Sequence, residues 1–410
     1  MTLPSDKVVE LAITEAIKPM RKAGEFAATA VPFTPVPLIR EIFSKIPVIA
    51  ERRLGAKIAV LFTVEMALQL KMWGFTNVTL ITDTQCVASQ NKAMRAGFAY
   101  KLVEQIKEMK FDVVVGNPPY EKNRYKMFTT MCLNLLIDGG HMAFITPVSF
   151  MSGTSSSKYR QQLTDHGTLN RIDILPAGSF KSVKKDGKMR DMLLSTCVMY
   201  FGPTDDSVVK LTRKYATAEM FEWSQEFTNG CELLMTYDQI GRSIWDKSQQ
   251  YQRKFTVGSV VDVRQLDVSA IGPNVNMGEK NELTYVGGSL KLASVTGKKI
   301  MTGKDIDIDG NCNKLTDHLS KSTNKRFVWQ TPNPINLGKW MDSKLIGILM
   351  TMTGVQSNNT NTNLGRMPFI DLPGSFDTIE EFNTAVYDEL RLTEEERAWV
   401  AAFSKVDHLT

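Results

Sequence analysis

Short, mostly apolar runs punctuate the first half of the chain: "AKIAVLF" at 56–62, "NVTLITD" at 77–83, "FDVVVGN" at 111–117, "HMAFITPVSF" at 141–150, "LNRIDILP" at 169–176 and "LLSTCVMYFG" at 193–202. Runs of this length bounded by turn residues read as buried strands. Between them the apolar positions take helical spacing, in "VEMALQLKMWGF" ending near Gly74, in "SQNKAMRAGF" or the segment on to Lys110, in "YKMFTTMCLNLLIDGG" with two glycines as the stop, and in "SSKYRQQLTDHG". Upstream, Val8, Val9, Ala12, Ala16, Ile17 and Met20 predict a helix over 6–22 with Ser5 as its cap. Three prolines in "VPFTPVPLIREIF" then lead into a short helix from about Leu38. Strands alternating with helices predict an α/β fold with a parallel, doubly wound sheet. After "GPTDD" at 202–206 the alternation fades into hairpin signals rich in Asn, Thr and Gly. The pattern therefore divides the chain into a helical segment at 1–30, an α/β domain at 31–206 and a mixed α+β domain at 207–410.

Length and composition fit this division. A chain of 410 residues is long for one core, and 43% hydrophobic with 23% charged residues is ordinary for a globular protein. Lys+Arg 49 against Asp+Glu 44 gives a net charge of +5, which permits a polyanionic partner without requiring one. Cys86, Cys132, Cys197, Cys231 and Cys312 are scattered with no close pair, the usage of reduced core thiols in a cytosolic protein. No signal peptide is read at the start, and the most apolar run, "IAVLFTVEMALQL", is interrupted by Glu65 and too short to span a bilayer.

The candidate chemistry sits after the third strand, in "FDVVVGNPPYEKN" at 111–123. Pro118 and Pro119 remove two backbone donors and fix two φ angles, so the chain can neither extend the strand nor start an ordinary helix. It is held rigid with Asn117 and Tyr120 at the carboxyl edge of the sheet, where ligands bind in open α/β folds. An exocyclic amine on a nucleobase is a poor nucleophile because its lone pair is delocalised into the ring. Two acceptors that receive its N–H bonds draw it towards tetrahedral geometry. The Asn117 side-chain oxygen is one such acceptor, and the Pro118 carbonyl, aimed by Pro119, is the other. Tyr120 offers a flat face for stacking a base. The rest is orientation towards an activated methyl group.

With these residues the chain resembles the adenine-specific (N6) DNA methyltransferases of the gamma motif order, including phage and restriction–modification members. The resemblance implies a Rossmann-like S-adenosylmethionine-dependent methyltransferase fold followed by a target-recognition domain. Its partner would be double-stranded DNA, and it would be either a solitary enzyme or one with a restriction partner, working in the cytoplasm of a bacterial or phage-infected cell. "FTPVPLIREIF" is similar to the upstream cofactor motif, which implies that Phe33, Thr34 and Pro35 lie near the methionine part of the cofactor. By position after the second strand, Asp83 matches the acid that holds the cofactor ribose, although a strand-end turn residue reads equally well.

One departure stands out. The resemblance calls for a glycine-rich turn after the first strand, yet no glycine occurs between Gly55 and Gly74. Phe62, Thr63 and Glu65 occupy the turn and helix start, and are assigned with Asn117 to the cofactor site. Two functions stay open: an adenine-N6 methyltransferase, or a DNA-binding protein that keeps the fold and has lost the cofactor. Cytosine-N4 transfer uses similar chemistry. Lys181, Lys184, Lys185, Lys188 and Arg190 form a basic stretch suited to DNA phosphates or to a solvated loop. "TNKRFVWQTPNP" and "NNTNTNLGRMPF" carry groups suited to base edges. "DIDIDGN" at 305–311 imitates a calcium loop, but Thr316 stands where a bidentate Glu is required, so it reads as a hairpin turn. The four histidines share no metal-ligand spacing.

Overall fold

The computed structural model describes residues 34–84, 87–176, 178–183, 189–191, 195–204, 206–215 and 219–251. It further describes 7, 8 and 11, the segments 256–262, 275–277, 282–285, 290–294, 325–330 and 343–352, and 368–403 apart from 369, 371 and 375. Most of the helix predicted over 6–22 lies outside these residues, as do "DIDIDGN" and most of "NNTNTNLGRMPF". Contacts divide the chain into two compact units, 1–150 with 156–232 and 409–410, and 151–155 with 233–408.

The first unit is built on one sheet. Helices α1 (Val36–Ser44) and α2 (Pro47–Ala50) precede β1 (Ile58–Leu61), α3 (Val64–Met72), β2 (Val78–Thr82), α4 (Val87–Arg95) and β3 (Tyr100–Leu102). Then come β4 (Phe111–Gly116), α5 (Arg124–Leu133), β5 (Leu136–Pro147), α6 (Ser157–His166), β6 (Leu169–Ile174), the hairpin β7 (Lys181–Val183) and β8 (Met189–Asp191), β9 (Thr196–Phe201), β10 (Val208–Lys214) and β11 (Met220–Glu226). Across the nine-stranded sheet the order is β3-β2-β1-β4-β5-β9-β6-β10-β11, so the sheet continues into β10 and β11 past residue 206. Neighbours pair in parallel except at β9, which runs against both β5 and β6, and at β11 on the edge. Central strands such as "IAVL" and "TCVMYF" are buried along their whole length, as strands covered on both faces must be.

The two glycines of "LIDGG" do not end a helix. Helix α5 stops at Leu133, and Leu136–Pro147 forms one long strand, β5. Its register against β4 shifts between Phe111 and Val113, from Leu136 to His141. Gly139 takes φ +75°, and a Cβ on Gly140 would stand 3.0 Å from the Ile137 carbonyl and 3.3 Å from that of Asp112. Glycine is needed here by a bulge rather than by a helix end.

A buried ionic cluster ties α1 to the far side of the sheet. Asp173 on β6, fully buried, receives Lys45 Nζ at 2.5 Å and Arg171 Nε at 2.7 Å, while Lys214 on β10 bonds Glu41. The segment bearing Thr34 is thereby anchored through the helix that follows it.

The second unit holds α7 (Gln239–Ser248), α8 (Lys344–Met352), α9 (Ile379–Glu389) and α10 (Glu394–Ala402). They share a core that includes Tyr237, Ile244, Leu349, Phe382 and Val386. Reciprocal capping boxes, Thr378 with Glu381 and Thr393 with Glu396, start α9 and α10. Strands β12 (Thr256–Asp262), β13 (Val275–Met277), β14 (Glu282–Tyr285), β15 (Leu290–Ser294) and β16 (Lys325–Gln330) form an antiparallel sheet in the order β12-β16-β15-β14-β13. "KRFVWQ" from the amide-rich stretch is β16.

Burial sets the alkaline limit of this fold. It raises Cys132, Tyr120, Tyr159 and Tyr200 above their ordinary values, and lifts Cys197 from 9.0 and Tyr125 from 10.0 to about 12. Folded values above unfolded ones mean stability that is intact below about pH 9 and lost as pH rises towards 12. Lys214, lowered by burial to about 8, and Lys45 and Lys126, also lowered, act in the opposite sense, but they are three groups against six. The urea midpoint is expected to drop between about pH 8 and pH 10.5; a constant or rising midpoint would contradict the assignment.

Candidate active site

Strands β1 and β4 lie side by side and finish together, with Leu61 opposite Gly116. A Cβ on Gly116 would fall 2.8 Å from both the carbonyl oxygen and the Cβ of Leu61, so only glycine allows the approach. Beyond it the Asn117 backbone N–H donates to the Leu61 carbonyl at 3.3 Å and to Thr63 Oγ1 at 3.1 Å. Thr63 Oγ1 in turn donates to the Leu61 carbonyl at 3.1 Å. The threonine in the glycine-free turn thus clamps the start of Asn-Pro-Pro-Tyr onto β1.

The turn keeps a backbone step that glycine would ordinarily make. Phe62 has φ +62°, in the left-handed region, where a β-carbon costs about 1–2 kcal/mol. Packing holds it there. The ring is fully buried and meets Phe128 of α5 edge-to-face at 4.8 Å. Phe62→Gly would relieve the strain but empty the ring site. The cavity term dominates, so a net loss of about 2–4 kcal/mol is expected by chemical denaturation. A stabilised variant would show the strain to be the larger effect.

Asn117 is fully buried with both ends of its carboxamide engaged: Nδ2 donates to Thr34 Oγ1 at 3.4 Å, and Oδ1 accepts from the Tyr120 hydroxyl at 2.5 Å. Pro118 and Pro119 are buried and Tyr120 is half-buried against the core. The tyrosine therefore caps the asparagine oxygen in this conformation, where the sequence suggested only a stacking face. Burial raises its hydroxyl well above the ordinary phenol value, so the hydroxyl is a donor. Pro35 caps α1 and is exposed; Phe33 lies outside the described residues.

At the end of β2, buried Asp83 pairs with Arg124 through Oδ2, while Oδ1 has no hydrogen-bond partner among the described residues. Gln90 Nε2 fixes the Asp83 carbonyl at 2.6 Å. The Arg124 guanidinium also lies 5.3 Å from the Phe128 ring centroid. Glu65 is buried in the first turn of α3, and one turn on Gln69 is buried with neither amide atom bonded among the described residues. Arg124 and Gln69 escaped the sequence reading. The only signal for Arg124 was a cation shortly after the motif, with Phe128 one helical turn further.

Lys181 and Arg190 lie on the β7–β8 hairpin, where Ser182 pairs with Arg190, and Lys184, Lys185 and Lys188 lie outside the described residues. Among the described residues no group of His, Cys, Asp or Glu could hold a metal ion, and no helix is long and apolar enough to cross a membrane.

A parallel sheet in the order β3-β2-β1-β4-β5-β9-β6, with β9 reversed and an acidic residue and a rigid amide at its carboxyl edge, is a Rossmann-like methyltransferase fold. Residues 64–180 match the Eco57I restriction-modification methylase family, a span that begins just after the Phe62–Thr63 turn and includes Asp83 and the whole Asn-Pro-Pro-Tyr loop. Among curated proteins, the Type II methyltransferase M.PstI of Providencia stuartii is 27% identical over 145 residues, which is 29% of this chain and 28% of the relative. The methyltransferase subunit of a type I restriction-modification system from Streptococcus thermophilus aligns at 16% identity and TM-score 0.35, over 45% of this chain and 47% of its own. The type IIG restriction endonuclease BpuSI aligns at 10% identity and TM-score 0.36, over 96% of this chain and 61% of its own. The chain spans less than two thirds of each of these relatives.

Proposed function

We propose that the protein is a restriction-modification-type DNA methyltransferase that transfers a methyl group from S-adenosylmethionine to the N6 amine of an adenine turned out of the duplex. The observation that carries this reading is Asn117: a buried carboxamide at the end of β4, its backbone clamped by Leu61 and Thr63 and its side chain held between Thr34 and Tyr120. A fixed acceptor of this kind gains strength where water is excluded. When the base enters, the Tyr120 hydroxyl gives up Asn117 Oδ1 to the amine, and the ring becomes a stacking surface. The Pro118 carbonyl accepts the second N–H. Asn rather than another residue before the prolines favours adenine over cytosine.

The residues present fit the cofactor. Asp83 Oδ1 is a buried acceptor awaiting a donor, suited to a ribose hydroxyl, and the left-handed step at Phe62 supplies the tight turn without glycine. Thr34 and Pro35, with Phe33, would border the methionine end, and Glu65 would receive its ammonium group. When bound, S-adenosylmethionine supplies the activated methyl group. The chain positions the amine towards it. Lys181, Lys184, Lys185, Lys188 and Arg190 would hold DNA phosphates, and of the C-terminal residues 207–410 the part in the second unit, 233–408, would select the target sequence.

Methyl incorporation into mixed-sequence duplex DNA, followed by nucleoside analysis, tests the reading. N6-methyldeoxyadenosine is expected. N4-methyldeoxycytidine would move the amine to cytosine, and no product together with no calorimetric binding of the cofactor would overturn the enzyme assignment.

A further inference from the structure

A second cluster of polar groups lies at the same edge of the sheet, between α5 and the turn that leaves β5. Lys126, in the first turn of α5, donates from Nζ to Ser156 Oγ at 2.9 Å. Its ammonium lies 5.9 Å from the Tyr125 ring centroid and 5.8 Å from that of Tyr159. Ser156 Oγ reaches back to the Ser149 carbonyl at 3.5 Å, and the Tyr125 hydroxyl stands 3.5 Å from the exposed Ser149 hydroxyl. Arg160, buried on α6, fixes this turn by donating to the Phe150 carbonyl at 3.1 Å.

The charge balance here is one-sided. Lys126 has no carboxylate within ion-pair distance among the described residues. Arg160, itself ion-paired with Glu232 at 3.3 Å, lies close enough for its charge to oppose that of Lys126. A half-buried ammonium without an anion is held at a cost, because burial and the Arg160 charge both disfavour its protonated form. Aromatic faces and hydroxyls offset only part of that cost. An arriving anion would meet one charged donor and the exposed Ser149 hydroxyl, with the buried Tyr125 and Ser156 hydroxyls holding these two in place, a donor set that suits a phosphate oxygen.

We infer that Lys126, with Ser149, Tyr125 and Ser156, forms a binding site for a DNA backbone phosphate next to the target nucleotide. The inference rests on the DNA methyltransferase reading, since Lys126 follows Asn-Pro-Pro-Tyr by one short turn and Ser149 lies in the 3-10 turn just after β5, the strand beside β4. The site holds the strand at the mouth of the base pocket while the second unit selects the sequence.

The test is a salt titration of binding to a mixed-sequence duplex, comparing wild type with Lys126→Gln and Lys126→Arg. One lost phosphate contact lowers the slope of log affinity against log salt by about 0.9. Lys126→Gln should show this loss with severalfold weaker binding, Lys126→Arg should retain the slope, and cofactor affinity should match wild type in both. Thermal unfolding checks that both variants fold. An unchanged slope and affinity in Lys126→Gln would overturn the site. Inorganic phosphate forms a second arm: if it stabilises wild type but not Lys126→Gln while the DNA slope is unchanged, the site belongs to free phosphate and the DNA assignment falls. Absence of any salt-dependent DNA binding by wild type would instead remove the methyltransferase reading itself, and the inference with it.

Discussion

Asn117→Ala is expected to slow methyl transfer by about a hundred- to a thousandfold, the scale seen when one fixed hydrogen-bonding group is removed from a site of developing charge. The loss should appear in the single-turnover rate, with DNA affinity nearly unchanged, because the carboxamide acts on the amine as it becomes tetrahedral. Removal of the side chain also deprives the Tyr120 hydroxyl of its acceptor and Thr34 Oγ1 of a donor. A stability loss on the order of 1 kcal/mol is expected from those bonds, too little to explain the rate. Near-native turnover would remove Asn117 from the chemistry and, with it, the main support for amine methylation.

Asp83→Ala should produce two effects that can be separated. The carboxylate pairs with Arg124 and keeps Oδ1 free among the described residues. Deleting it leaves a largely buried guanidinium without its anion, at roughly 1–3 kcal/mol of stability. It also removes the acceptor for the cofactor ribose, weakening cofactor binding by roughly 1–3 kcal/mol, or about five- to 150-fold. Arg124→Ala alone should tighten cofactor binding, since it releases the acid. The double variant should recover stability relative to Asp83→Ala without recovering cofactor affinity. Calorimetry on the four proteins decides the matter: equal cofactor affinity in wild type and Asp83→Ala would place the ribose elsewhere.

The sequence by itself determined most of the order of strands and helices through 202, because apolar period and proline–glycine punctuation are local signals, but three-residue strands such as β3, β7 and β8 are too short to carry a period and were not legible. It also determined the rigid Asn-Pro-Pro-Tyr loop at a strand end, since two prolines leave the backbone few choices wherever they stand. What those signals could not carry is which distant groups meet. "LIDGG" has the composition of a helix stop, and only pairing with β4 turns its glycines into a bulge. A glycine-free turn reads as an obstruction, yet the cavity formed with Phe128 forces Phe62 into the conformation that a glycine would adopt. Thr63 becomes a clamp only because β1 and β4 end together. The pairing of Asp83 with Arg124, and the Lys126 cluster, arise because the parallel order places β2, β4 and β5 with their carboxyl ends on one edge. Conformation within a few residues is set by local sterics. Contacts between distant segments follow from strand order, and that is settled only when the whole sheet buries its faces.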